Sequence, residues 1–310
     1  DSYFLSRRAS RLTYYERKSH LAEAAQENFR TLGAMNIDCH TAELTLEKIQ
    51  SSDFPSYDII FLDPARRDKM GGRVYSIAEC EPNLTLWRTP LLAKANTILA
   101  KVSPMADISQ ILGEVPGIGE IHILSVDHEC KELLLKITGT PVDEPHIYCI
   151  NLLKNGEQHF EFSRSEEGQA TATYIPEDGL EDIAQGQCYL YEPNKSISKG
   201  GAFKLLSQRY GVMKVSPATH LYLSSEAVEG FPGKCYRVLE GALFNKRILG
   251  EWKKKYPKGS VSAKNFPLTS EELAKRLSVK EDDRMHIFGF TSLAGTRVDK
   301  SAIKRTSWGN

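Results

Sequence analysis

Two acidic residues stand directly behind short apolar runs, where each could do chemistry. Asp63 follows Tyr57–Leu62 in "YDIIFLDPARRD", and Glu16 closes "LTYYER". In an open α/β sheet, ligands collect beyond the carboxyl ends of the strands, so an acid there can orient a polar group or take up a proton. Glu16 can accept hydrogen bonds from both hydroxyls of a ribose, with Arg17 beside it. Asp63 is followed by Pro64, Ala65, Arg66 and Arg67. The arginines suit an anion such as phosphate, although Arg66 paired with a nearby acid would be purely structural. An Asp-Pro step that merely starts a turn is the plainer alternative.

Such acids work only where strands and helices hold them. "RLTYYE", "LAEAAQENFRTLG", "IDCH", "TLEKIQ" and "YDIIFLD" follow one another at the spacing of βαβ units, which predicts a parallel sheet. Across His20 to Leu32, apolar Leu21, Ala24, Ala25, Phe29 and Leu32 share one helical face, and Gly33 stands where a C-terminal cap belongs. A helix around Leu84 to Ala95, a strand "TILAKV", a helix near Ile108 to Leu112 and a terminal hairpin in "EIHILSVDHECKELLLKI" continue the pattern. "VPGIGEI" reads as a turn. From Pro145 the short strands "HIYCINL", "QHFEFS", "ATATYI" and "CYLYEP" follow, then one helix in "KSISKGGAFKLLSQRYG" and a strand in "THLYLSS". In "TSEELAKRL" Thr269 can cap a helix whose Glu272 completes a capping box, and "RMHIFGFTSL" is the expected closing strand.

The chain has 310 residues, 41% hydrophobic and 26% charged, which is the composition of a globular protein large enough for two or three domains. No apolar run approaches the roughly 20 residues of a bilayer span, and the first residues carry no cleavable leader pattern, so a cytoplasmic location is expected. Six scattered cysteines with no CxxC pair, and histidines without HxxxH spacing, predict buried thiols and no metal site. Net charge is zero, yet from Gly241 onward fifteen Lys/Arg face seven Asp/Glu. A basic end of this kind suits a phosphate backbone, or is a solvated charged face.

Taken in order, "DSYFLS", "YYERKSHLAEAAQENFRTLG", "FLDPARRD" and "ILAKVSPMADI" resemble a bacterial family of class I S-adenosylmethionine-dependent methyltransferases. "YLYEPNKSISKGGAFKLLSQRYG" and "KNFPLTSEELAKRL" are similar to that family's ferredoxin-like piece and C-terminal THUMP-like domain. The resemblance implies an α/β fold: a Rossmann-like methyltransferase domain over 1–140, a β-rich connecting region over 141–188, a ferredoxin-like α+β region over 189–250 and a basic THUMP-like domain over 251–310. It implies S-adenosylmethionine as cofactor, with Glu16 and Arg17 at the ribose, Glu43 of "HTAEL" near the adenine, and Asp1 and Asp63 completing the contacts. A merely solvated Glu43 is the alternative for that residue. Asp63, Pro64 and Arg66 would line the catalytic pocket. RNA is the implied partner, met by Arg67, Lys253, Lys254, Lys255 and Lys264, with neither metal nor membrane.

The motif departs from the family's best-defined chemistries. Methylation of exocyclic amines uses Asp or Asn, two prolines and an aromatic that stacks on an extruded base, and Ala65 and Arg66 stand in the last two places. Methylation at uridine carbon 5 needs a cysteine nucleophile after the next strand, where "AKVSPMAD" has Ser103. The expectation left is generic: Asp63 orients or deprotonates an acceptor while Arg66 or Arg67 grips an anionic group. The glycine-rich cofactor turn has no counterpart in the sequence, and Asp1 to Ser6 read as the helix that follows it. The central strand of the sheet order 3-2-1-4-5-7-6 is therefore expected to be absent. The neighbouring strand should then close the gap, the N-terminal segment should disorder, or a second molecule should fill the slot. The rival readings are a non-catalytic RNA-binding protein on the same scaffold, and a nicotinamide oxidoreductase, which accounts for neither "DPAR" nor the basic end.

Overall fold

The computed structural model describes residues 1–66, 77–140, 142–176, 188–293 and 298–305, with backbone alone at 65–66, 79 and 298–305. Strand and helix alternate at the start as the spacing predicts: α1 (Ser2–Ser6), β1 (Leu12–Glu16), α2 (Ser19–Thr31), β2 (Ile37–Thr41), α3 (Leu46–Gln50) and β3 (Tyr57–Leu62). Gly33, at φ 72°, supplies the left-handed residue that ends α2, and the N–H of Ala34 returns to the carbonyl of Phe29 at 2.9 Å. After β3 come β4 (Ala65–Arg66), a 3₁₀ turn (Ile77–Glu79), β5 (Cys80–Glu81), α4 (Leu84–Leu92), β6 (Ala95–Val102), α5 (Ile108–Glu114), β7 (Ile118–Val126) and β8 (Glu129–Thr138). The "VPGIGEI" turn rests on Gly117 at φ 79°, where a Cβ would stand 2.9 Å from the carbonyl oxygen of Thr138.

Two strands of the expected connecting region, β9 (His146–Leu153) and β10 (Gly156–Ser163), extend the first sheet to the order β10-β9-β7-β8-β6-β3. The β7/β8 hairpin is therefore internal rather than terminal, because β7 offers its second edge to β9 in parallel. β3 and β6 are parallel, and β8 runs against both β6 and β7. β1 pairs in parallel with β2 as a separate two-stranded sheet. Between β1 and β3 there is no ladder among the described residues, only side-chain contact: the hydroxyls of Tyr15 and Tyr57 lie 3.3 Å apart and the Tyr15 ring stacks on Phe54. The neighbouring strand has thus not closed the gap, and the N-terminal segment is the ordered helix α1. Ile59, in the middle of β3, is 55% exposed, a value foreign to a strand enclosed in a parallel sheet.

Beyond α6 (Arg164–Gln169) the chain builds a second sheet from β11 (Tyr189–Pro193), β12 (Met213–Ser216), β13 (Thr219–Ser224), β14 (Gly233–Leu243), β15 (Ser260–Lys264), β16 (Met285–Thr291) and β17 (Val298–Arg305), in the order β12-β13-β11-β14-β17-β16-β15. Its helices are α7 (Lys195–Gly200), α8 (Phe203–Tyr210), α9 (Lys246–Lys255) and α10 (Ser270–Leu277). The single helix expected from Lys195 to Tyr210 is two, because Gly201 takes φ 86° and turns the chain. "ATATYI" forms one bridge, Tyr174 to Lys214, instead of a strand, and β16 is followed by β17, which inserts between β14 and β16. The predicted capping box of Thr269 and Glu272 is present at α10. The sheet curls, since strands near its opposite edges touch: Thr219 Oγ1 donates to the Thr291 carbonyl at 2.7 Å and Asn265 Nδ2 donates to Thr219 Oγ1 at 3.3 Å.

One apolar core crosses from sheet to sheet, joining Ile123, Cys149 and Phe162 to Tyr191, Ile197, Leu206 and Tyr222. Gly200 marks a close approach, where a Cβ would meet Cys149, Ile123 and Phe162 at 3.0 to 3.3 Å. Burial of this kind contributes about 25 cal/mol for each Å² of apolar surface, so the two sheets stabilise each other. The six cysteines are free thiols, Cys149 and Cys188 buried and the other four half-buried.

Candidate active site at the strand tips

β1 and β3 end at the two acids that the sequence singles out. Glu16 is the last residue of β1, and its Oε1 accepts the backbone N–H of Lys18 at 2.9 Å, which turns the chain toward α2. Arg17 pairs with Glu81 at 3.7 Å, and Glu81 stands opposite Ala65, two residues past Asp63. This relay brings the tips of β1 and β3 to one end of the domain.

The centre of that end is a residue the sequence reading passed over. Lys101 Nζ lies 2.5 Å from Asp1 Oδ2 and 2.8 Å from Asp63 Oδ2. The pairing of Leu62 with Ala100 sets this arrangement, because it places Lys101 beside the residue that follows β3. Lys101 is 22% exposed and the two acids are 49% and 58% exposed, so water screens the pairs and each is worth at most about 1 kcal/mol. Its signal in the sequence was a charge next to last in an apolar eight-residue strand, "ANTILAKV". Among the described side chains, two carboxylates meet one ammonium here.

The other expected residues fall in different places. Glu43 is exposed, two positions past the end of β2, and the contacts above do not draw it to the cluster. Pro64 follows Asp63 into β4; Arg66 is described by backbone alone, paired with Cys80, and Arg67 lies outside the described residues. Ser103 serves a turn, its Oγ accepting the N–H of Met105 at 3.2 Å.

The basic end is divided. Lys253 and Lys254 are exposed in the last turn of α9, whose Ile248 and Trp252 pack against Leu273 and Leu277. Cations there also offset the negative end of the helix dipole. Lys255 is bonded to Glu240, which accepts the Tyr256 hydroxyl at 2.6 Å as well. Lys264 is turned inward and pairs with Glu192 at 2.6 Å, 27% and 14% exposed. Lys255 and Lys264 are thus held in ion pairs within the protein, and among the described residues no ion pair joins Lys253 or Lys254. Among the described residues no group of three or more His, Cys, Asp or Glu is placed to hold a metal, and no helix is long and apolar enough to cross a membrane. A cavity of about 300 Å³ between Tyr148, His159, Phe160, Glu161, Arg209 and Tyr210 holds none of the acids described above.

Comparison with known proteins bears on both halves. A ferredoxin-like domain family matches residues 189–232. Among solved structures, the chain is similar to one described as a "putative methyltransferase" from Porphyromonas gingivalis W83, with 32% identity and a TM-score of 0.85 over 98% of this chain and 73% of that one. Curated protein sequences give no match.

Proposed function

The chain belongs to the family of that Porphyromonas gingivalis protein, and from this premise we propose that it is an S-adenosylmethionine-dependent methyltransferase of the class I type, acting on RNA. The observation that carries the reading is the Asp1–Lys101–Asp63 cluster at the tip of β3, with Glu16 at the tip of β1. The strand order supports it: β2-β1, an opening, then β3-β6-β8-β7 with β8 reversed matches 3-2-1-4-5-7-6 with the central place open. In this reading that order is a Rossmann-like arrangement, and the α+β region after it, whose residues 189–232 match the ferredoxin-like domain family, would carry the ferredoxin-like and THUMP-like parts.

The residues present fit the cofactor. The two carboxylates beside Lys101 suit a sulfonium, and Glu16 offers acceptor oxygens to ribose hydroxyls. Asp1, Glu16, Arg17 and Asp63 would hold S-adenosylmethionine, which supplies a methyl group on a positively charged sulfur, with the exposed Glu43 meeting the adenine only if the cofactor reaches past the end of β2. The protein's task is then positioning. Lys101 engages Asp63 Oδ2 and restrains the carboxylate, and Asp63 would orient the acceptor's hydrogen and receive its proton. Pro64 stiffens the step after Asp63, Arg66 and Arg67 grip a phosphate, and Lys253 and Lys254 hold RNA at the basic end.

The same ion pair favours a second reading, an RNA-binding protein without catalysis, because Lys101 occupies one oxygen of the acid that would face the acceptor. Mass spectrometry of total RNA nucleosides from cells with and without the gene tests the proposal. A methylated nucleoside that disappears with the gene and returns with the wild type but not with Asp63→Asn supports it. An unchanged nucleoside profile removes RNA as the substrate, and absence of S-adenosylmethionine binding in calorimetry decides for the second reading.

A further inference from the structure

A second charged cluster lies where the two sheets meet, and neither the acids nor the helices discussed above account for it. Glu192 and Lys234 are cross-strand partners in β11 and β14, and Lys264 reaches the same carboxylate from β15 at 2.6 Å. Lys195, at the start of α7, adds a third ammonium close enough to Lys264 and Lys234 that, after burial itself, their charges push its pKa down. Among the described residues three lysines, Lys195, Lys234 and Lys264, surround the one carboxylate of Glu192, so positive charge is in excess there. Beside it is a cavity of about 50 Å³ lined by His128, Glu192, Pro193, Lys195 and Lys234. A water needs on the order of 10–15 Å³ on this measure, so the space takes a few heavy atoms, the size of one phosphoryl group and smaller than a nucleoside.

The walls of this cavity are fixed from behind. Asn151 and Asn194, both buried, donate from Nδ2 to Gln158 Oε1 at 3.0 and 3.2 Å, and Gln158 Nε2 donates to the carbonyl of Gly233 at 3.1 Å, next to Lys234. Asn151 Oδ1 accepts the backbone N–H of His128 at 3.0 Å, which orients the amide so that its Nδ2 meets His128 Nδ1 at 3.3 Å. Nδ1 is then the acceptor of that contact. At Gly233 a Cβ would stand 2.2 Å from the carbonyl oxygen of Glu192, so the strand beside the lysines admits no side chain there. A cationic cavity braced by buried amides has its donors set before any ligand arrives.

We propose that this cavity is a phosphate-binding site, in which Lys195 and Lys234 hold one phosphoryl group while Lys264 neutralises Glu192 behind it. The group belongs either to free phosphate or to the backbone of a nucleic acid. The inference stands on this seam alone and does not depend on methyl transfer.

Calorimetry of the full-length protein with inorganic phosphate, and separately with a single-stranded RNA of about ten nucleotides, tests it. The wild type binds at least one of the two, and Lys195→Gln and Lys234→Gln each weaken that binding about tenfold. Lys234→Arg retains it, as does Lys154→Gln, which removes an exposed lysine from the β9–β10 turn. Melting curves show which variants fold, and the arginine variant carries the test if the glutamine variants do not. Loss confined to inorganic phosphate assigns free phosphate as the ligand, and loss that includes RNA assigns the nucleic-acid backbone. Binding of neither probe by the wild type, equal binding by the wild type and the glutamine variants, loss of binding in a folded Lys234→Arg, or loss in Lys154→Gln equal to that in Lys195→Gln overturns the proposal.

Discussion

At the tip of β3 one ammonium sits between two half-exposed carboxylates, whereas at the seam of the second sheet one half-buried carboxylate sits among three ammoniums. The signs are opposite, and so are the ligands each suits, a cation at the first and an anion at the second. Their settings differ as well. The β3 cluster rides on the last strand of its sheet, with an exposed isoleucine nearby and side-chain contact in place of a ladder toward β1. The seam cluster is backed by buried amides and a glycine that admits no side chain. Charge at an open strand tip costs little to rearrange and can respond to a ligand, while charge at a braced seam is part of the fold.

Substitution should separate the two regions most sharply in stability. Gly233→Ala drives a methyl group against the Glu192 carbonyl and should cost about 3 kcal/mol or prevent folding, read by urea denaturation. A loss under about 0.5 kcal/mol would mean that the seam yields. The open strand supplies its own contrast. Ile98, fully buried in β6, should cost about 3 kcal/mol as Ile98→Ala, while Ile59→Ala on the adjacent β3 should change stability by no more than about 0.5 kcal/mol. Equal costs would show that β3 is covered in solution.

Acid should act on the second sheet first. Burial pushes His286 down to about 4 from its ordinary 6.5, and burial with the nearby Lys214 does the same to His220. Between those limits the unfolded chain binds protons that the folded chain refuses, so stability is full above pH 6.5 and falls as pH drops toward 4, by about 1 kcal/mol per pH unit for each histidine. His286→Gln should flatten that slope by about half, measured as denaturant midpoints across the range. The smallest effect concerns the basic end. Removing Lys253 and Lys254 should lower the salt dependence of RNA binding by about one unit of slope per lysine, and removing Lys255, tied to Glu240, should lower it less. Equal changes at all three positions would mean that the Glu240 pair opens on binding.

The readable and unreadable parts of the sequence divide along the same line. β1, β3 and α2 were legible because each carries its own period and its own stop signal, Glu16, the Asp63-Pro64 step and Gly33. β14 was not. Its alternation of Tyr236 and Val238 with Arg237 and Leu239 breaks at a bulge between Val238 and Glu240, which shifts the period by one. β17, "VDKSAIKR", holds too few apolar residues to announce a strand inside a sheet, and only its pairing with β14 and β16 defines it. Conversely "ATATYI" has the alternation of a strand but, with alanines for its apolar face, little to bury, and it makes a single bridge. Within the site, the two acids were visible as strand ends, while Lys101 took its meaning from the register of β3 on β6, a long-range fact that no local pattern carries. Lys264 looked like part of a solvated basic run until the curl of the sheet turned it toward Glu192.

The most direct test of the account is transfer of a deuterated methyl group from labelled S-adenosylmethionine to total RNA by the purified full-length protein, with Asp63→Asn beside it. We expect a labelled nucleoside from the wild type and about a hundredfold less from Asp63→Asn, whose melting temperature should be unchanged because the pair it breaks is exposed. No label above background with the wild type, or equal label from both proteins, would contradict it.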